Sequence, residues 1–347
     1  MEIKHLSHSD TFFEGKYFGT MPNGSIIYEF DLQNKNGLQM TVINYGASIQ
    51  SLKIPVLKDR KVDVVLGFDN LEDYVNSYRL QSAPYFGAVI GQYAGRINNA
   101  EFVLNGNKIN LSMNHNSNHL HGGFEGFSNA FWDVIDIQSN SITLQYTSKN
   151  NEENYPGEVK SNITYTLTDN NELEVSFLAT TSEDTIINLT QHSYFNLDGH
   201  SEVIKNQELY VNSNKILETT TDNIPTGKFM ALQGNDYDFS IPKACPSIID
   251  TTFILNQEKE LAAALYSKKN KIKMSVFTNQ PAVHIYVGGN CFNQIKGKEN
   301  ANYSSVSGIC FETQNFPDAP NHNHFPNAIL KKDETYLHKT TFKFETL

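Results

Sequence analysis

Ile163-Thr-Tyr-Thr-Leu-Thr-Asp-Asn-Asn-Glu-Leu-Glu-Val-Ser-Phe177 reads as two strands and a turn. Ile163, Tyr165 and Leu167 alternate with polar residues, and so do Leu173, Val175 and Phe177. A period of two with one apolar face marks a strand with one buried side. Between the halves stands Asp169-Asn170-Asn171, and Asp and Asn reach positive φ more cheaply than other side chains. The stretch therefore predicts an antiparallel hairpin.

The same signature recurs on both sides of it. Phe102 and Leu104 run into Asn105-Gly106-Asn107, followed by Ile109 and Leu111. Leu38, Met40 and Val42 alternate, as do Ile142, Leu144 and Tyr146. Further strand patterns surround Ile272, Met274 and Val276, and Phe342 and Phe344. Helical signals are confined to Leu71–Ser77 and Glu258–Ser267, each read as a short helix. The strand pattern runs from about residue 25 to the end without a repeat, linker or compositional break. The expectation is an all-β fold, a large antiparallel β-sandwich with few short helices, forming a single domain over residues 1–347. Loops between its strands are the natural carriers of a site.

Composition narrows the function classes. The chain has 347 residues, 39% hydrophobic, enough for a large core. Its formal net charge of −11 disfavours nucleic acid and anionic membrane surfaces as partners. No apolar run has the length of a signal-peptide core or a membrane span. Cys245, Cys291 and Cys310 form no C-x-x-C motif and cannot all pair within one molecule, which fits a reduced, cytoplasmic setting. Sequons at Asn110, Asn162, Asn188 and Asn302 then read as chance in an Asn-rich chain.

Chemistry-bearing residues gather in a few Gly- and aromatic-rich segments. Arg96 lies in Gly91-Gln-Tyr-Ala-Gly-Arg96-Ile-Asn98; its forked donors suit sugar hydroxyls, and a plain surface ion pair is the alternative. In Asn118-His119-Leu-His121-Gly-Gly123 an extended backbone would turn both histidines to one face, as sugar binder, metal pair or hydrogen-bonded structural residues. His115, His322 and His324 are further metal candidates, yet no H-E-x-x-H or cysteine cluster supports one. His192, between Ile186, Ile187, Leu189 and an aromatic pair, is either a general acid or base or a satisfied core histidine. Glu312 shares a strand face with Cys310; a carboxylate there is a general base or an edge residue. Asp250, in Ile248-Ile-Asp-Thr-Thr-Phe253, is a hydroxyl acceptor or a turn residue.

Taken together these stretches resemble the aldose 1-epimerase (galactose mutarotase) family. Asn44-Tyr-Gly-Ala47, Val65-Leu-Gly-Phe-Asp69, Gly91 through Asn98, Leu120-His-Gly-Gly123, Gln191-His-Ser-Tyr-Phe-Asn-Leu197, Ile224-Pro-Thr-Gly227 and Phe311-Glu-Thr-Gln-Asn-Phe-Pro-Asp-Ala319 carry the resemblance, in family order and over nearly the whole chain. It implies an open cleft on one sheet of a β-sandwich. It implies Glu312 as catalytic base, His192 as catalytic acid, and Arg96, His121 and Asp250 as sugar-binding residues. His284, in Gln280-Pro-Ala-Val-His-Ile-Tyr286, stands where many relatives carry a Gln that reaches the sugar, so it joins the binding set; Gly95 stands where many carry Asn. The implied reaction interconverts the α and β anomers of free aldohexoses such as glucose or galactose, without metal or organic cofactor, in a monomer or homodimer.

Three competitors remain at this level. An epimerase for a phosphorylated hexose needs more positive charge than Arg96 supplies. A non-catalytic sugar sensor would be marked by loss of the acid or base, and His192 and Glu312 are both present. A metal-dependent β enzyme would use His119 and His121.

Overall fold

In the computed structural model, residues 5–6, 12–13, 15–57, 60–80, 82–256, 260–288 and 294–347 are described. Three antiparallel sheets dominate. The largest has nine strands, with Tyr336–Thr346 between Glu172–Thr181 on one side and Ile272–Thr278 on the other. A six-stranded sheet runs, in order, Tyr194–Phe195, Ile309–Gln314, Ala282–Val287, Ile249–Leu255, Ser213–Thr219 and Pro225–Ala231. A five-stranded sheet is built consecutively from Lys16–Thr20 to Arg60–Asp63. Ile163 and Phe342 from the nine-stranded sheet, Val283 and Phe311 from the six-stranded one, and Met40 and Leu52 from the five-stranded one share a single buried cluster. The sheets are therefore layers over one core, the sandwich expected from the alternation.

The hairpin of the opening stretch forms as read. Val159–Thr168 pairs with Glu172–Thr181, with Ile163 opposite Phe177 and Leu167 opposite Leu173. Glu101–Leu104 likewise pairs with Asn107–Asn110 across a two-residue Asn105-Gly106 turn. Leu71–Ser77 is an α-helix, its N-terminus capped by the Asn70 side chain accepting from the Asp73 amide.

The second expected helix is a correction. Leu261–Ser267 is a strand of the nine-stranded sheet, paired with Gln207–Val211 and Ile272–Thr278; residues 257–259 lie outside the described set. Its run of alanines has helical propensity, but Ala262, Ala263 and Ala264 are all buried in a central strand where two neighbours supply the backbone partners. Tertiary pairing overrides a weak local preference. Cys245 and Cys310 are buried free thiols, and Cys291 falls outside the described residues. Among the described residues no helix is long and apolar enough to cross a membrane.

Candidate active site

The site grows out of the period of two. On Ile249–Leu255, Ala282–Val287 and Ile309–Gln314, the residues Ile249, Phe253, Val283, Ile285, Ile309 and Phe311 point into the core. Their neighbours must then face the other way. Register sets those neighbours in rows: Thr252 is opposite His284, and His284 opposite Glu312. The next row holds Asp250, Tyr286 and Cys310. This outer face floors a cavity of about 390 Å³.

Loops wall the cavity and aim their side chains at that floor. Arg96 is opposite Leu120 in a short strand pair, and the Asp318 amide donates to its carbonyl at 2.8 Å. The Asp318 carboxylate accepts from the Asn98 amide at 3.0 Å, locking the loop of Arg96 to the loop beyond Glu312. His121 turns into the cavity because its φ is +53° and that of Gly122 is +88°. A Cβ on Gly122 would lie 1.7 Å from the Gly91 carbonyl oxygen, so only glycine fits that turn. The Gly95 amide donates to His121 Nδ1 at 3.2 Å, while the His121 amide donates back to the Gly95 carbonyl at 3.1 Å. Gly95 has a φ of +81°, and a Cβ there would meet Pro317 at 2.9 Å, which explains the absence of a larger residue. His192 is held by its own amide, which donates to the Ala88 carbonyl at 2.9 Å.

At the centre, His192 Nε2 lies 3.5 Å from Glu312 Oε1, the side chains 5% and 3% exposed. Behind the imidazole, Nδ1 is 3.6 Å from the Cys310 thiol. Beside them Asp250 Oδ1 is 2.9 Å from His284 Nε2, Oδ2 accepts from Asn223 at 2.8 Å, and Arg96 lies 3.9 Å away. Arg96 Nε is buried without a protein partner among the described residues. Burial raises the Asp250 carboxyl, but the His284 hydrogen bond and the positive charges of His284 and Arg96 prevail and hold its pKa below the ordinary value. Burial, together with the neighbouring His192, Arg96 and His284, pushes His121 well below the usual imidazole range. His121 is thus neutral, and the Gly95 N–H fixes its proton on Nε2. The Tyr85 phenol, edge-on to His121 with ring centroids 5.1 Å apart, is pushed up to about 12 by burial and stays neutral.

Arg96, His121, His192, Asp250, His284 and Glu312 all line this one cavity. His119 does not. It is fully buried, its Nδ1–H donating to the Ser112 carbonyl at 2.7 Å and its Nε2 accepting from Tyr155 at 2.7 Å. The shared face expected for His119 and His121 fails because the positive φ at His121 breaks the extended backbone. His322 and His324 belong to another loop, near Asp318 and the Gly227 carbonyl. His121, His192 and Glu312 bring three ligand-type atoms within 4.8 Å of one another. That donor set does not fit a metal. A metal-bound imidazole donates from its outer nitrogen, whereas His121 Nδ1 accepts there and keeps its proton on Nε2. Thr252, Tyr286, Asn223 and Tyr85 were not singled out from sequence. Thr252 and Tyr286 stand two residues beyond Asp250 and His284, so the strand period identifies them; Asn223 and Tyr85 lie in loops with no pattern.

Comparison with known proteins places the whole chain. A family model described as aldose 1-epimerase matches residues 28–343. Galactose mutarotase from Bos taurus is 38% identical over 339 residues, covering 94% of this chain and 97% of that protein, and galactose mutarotase from Homo sapiens matches to the same extent. Among solved structures, an aldose epimerase homologue from C. elegans superposes with a TM-score of 0.86 at 25% identity, over 92% of this chain and 99% of that one. A galactose 1-epimerase from Lactobacillus acidophilus gives 0.82 at 27% identity, over 95% and 97%. With its fold and nearly its whole length matched, the chain belongs to the aldose 1-epimerase family.

Proposed function

We propose that this protein is an isomerase that interconverts the α and β anomers of free aldohexoses such as galactose or glucose. The observation that carries the reading is the His192–Glu312 pair, 3.5 Å apart on a cavity floor ringed by Arg96, His121 and Asp250. Anomerisation needs a proton taken from the C1 hydroxyl and one given to the ring oxygen. Both oxygens sit on one carbon, so an acid and a base at this spacing suit them.

In our reading Glu312 accepts the C1 hydroxyl proton while His192, as imidazolium, delivers its proton to the ring oxygen. The bond between C1 and that oxygen breaks and C1 becomes an aldehyde. Rotation about C1–C2 exposes the other carbonyl face. On reclosure His192 recovers its proton from the C5 hydroxyl as that oxygen attacks C1, and Glu312 returns its proton to the new C1 oxygen. Both groups end as they began, so no redox partner is needed. His121, with its proton fixed on Nε2, and Arg96 donate to sugar oxygens, and Asp250 accepts from hydroxyls. We take the chain, 1–347, to act as one domain, as monomer or homodimer in the cytoplasm. The support is that lining residues from Tyr78 to Pro317, far apart in sequence, meet in one cavity, and that Cys245 and Cys310 are free thiols.

The test is the optical rotation of freshly dissolved α-D-glucose and α-D-galactose with catalytic amounts of protein. Faster approach to the same final rotation is expected, and no acceleration with any aldose refutes the reading. Glu312→Gln and His192→Asn should each lower kcat by about 100- to 10,000-fold. Near wild-type turnover in either variant removes that residue from the mechanism.

A further inference from the structure

Asp250 and His284 stand on neighbouring strands, and their geometry decides which of them can reach a sugar. His284 Nε2 is 2.9 Å from Asp250 Oδ1, and its Nδ1 is 2.8 Å from Thr252 Oγ1. Protein groups occupy both ring nitrogens. Asp250 is differently placed. A carboxylate offers about four acceptor positions, of which His284 and Asn223 fill two. Acceptor capacity therefore remains on Asp250, while His284 has no N–H left to give.

Charge reinforces the pairing. Burial opposes the imidazolium of His284, but the hydrogen bond and negative charge of Asp250, with the charge of Glu312 behind it, outweigh burial and raise the pKa above the ordinary value. Thr252 and Glu312 face His284 from the strands on either side, and Asp250 is the next acid on the Thr252 strand. Arg96 and His121 face it from the loops, Arg96 opposing its charge. As imidazolium, His284 donates to Asp250 and to Thr252 at once. As neutral imidazole it gives up one of these donations, and Asp250 loses its nearest cation.

We propose that His284 is a positioning residue that acts on the sugar through Asp250: protonated, it clamps the carboxylate in the orientation that receives hydroxyls, so sugar affinity follows the proton on His284. This rests on reading the cavity as an aldose site. It replaces the direct sugar contact expected of position 284 with an indirect one.

The experiment measures D-galactose affinity between about pH 6 and 9 in two ways. One is KM and kcat by polarimetry on the wild-type protein. The other is Kd by calorimetry on His192→Asn, where the catalytic acid is absent and Glu312 is intact. Expected is an affinity constant at the acid end that weakens about five-fold or more as one proton leaves above the ordinary imidazole range. His284→Gln, an uncharged donor to Asp250, should bind about five-fold or more weakly than the acid-end wild type, matching the wild type's alkaline limit, and lose the pH dependence. His284→Ala should bind about ten-fold more weakly at every pH, with kcat at saturating sugar changed far less. A flat wild-type profile, or an alkaline loss that persists in His284→Gln, overturns the clamp while leaving the enzyme reading intact. Absence of mutarotation at pH 7 overturns the enzyme reading itself, and the clamp with it.

Discussion

Asp250→Ala removes an acceptor shared by His284, Asn223 and the charge of Arg96. Three cationic or polar side chains would be left facing the cavity without their partner, and a sugar would lose its acceptor. KM should rise about ten-fold or more, with a smaller change in kcat. An unchanged KM in polarimetric assays would place Asp250 outside the binding set. At this scale the sequence was informative about residue type and silent about partnership. Arg96, His121, His192, Asp250, His284 and Glu312 stand out because ionisable groups among glycines and aromatics are unusual. That His284 spends both nitrogens on protein, and that His119 is sealed between Ser112 and Tyr155, depends on segments brought together only by folding. His119 and His121 look alike in the sequence and differ because a single backbone dihedral separates them.

Strands and turns were legible because their signals are local. Alternation located the hairpins at Asn105-Gly106 and Asp169–Asn171, and the run Leu71–Ser77 gave its helix. Leu261–Ser267 was misread because its alanines carry no period, and only the strands flanking it decide its conformation. Two glycines separate turn propensity from close packing. Gly106 has a φ of +80° with open space around it, so Gly106→Ala should cost only the left-handed backbone, about 1–2 kcal/mol. Gly122→Ala adds a backbone clash at 1.7 Å to a φ of +88° and displaces the turn that aims His121. Its loss should exceed that of Gly106→Ala, with kcat/KM falling alongside Tm. Thermal unfolding and polarimetry of the two variants check this; equal effects, or full activity in Gly122→Ala, would show that the turn yields.

Across the whole molecule, several histidines are folded in the neutral state. His338, buried between the Leu189 carbonyl and the hydroxyls of Thr313 and Thr340, is pushed by burial down to about 3, and burial also lowers His119, His121 and His200. The unfolded chain binds protons at these sites below about pH 6.5, and the folded chain binds them only at lower pH. Their contribution is therefore complete above about pH 6.5 and is lost as pH falls, for His338 at about 1.4 kcal/mol per pH unit down to about pH 3. Denaturant titrations at pH 7.5, 6 and 5 should show this slope, and His338→Gln should flatten it. Identical slopes would mean that His338 is already protonated in the folded state. The class of fold was readable from sequence, but the order of strands within each sheet was not, because alternation names a strand's faces and leaves its neighbours open. The strand Tyr336–Thr346 is the sharpest case, seated between partners that end at residues 181 and 278. During synthesis both partners emerge first, each with a bare edge facing the gap that this strand must fill. The largest sheet is thus finished from the middle, late, and a ribosome stalled before residue 336 would display two strand edges with unpaired backbone groups, the kind of surface that holdase chaperones shelter and neighbouring nascent chains adhere to.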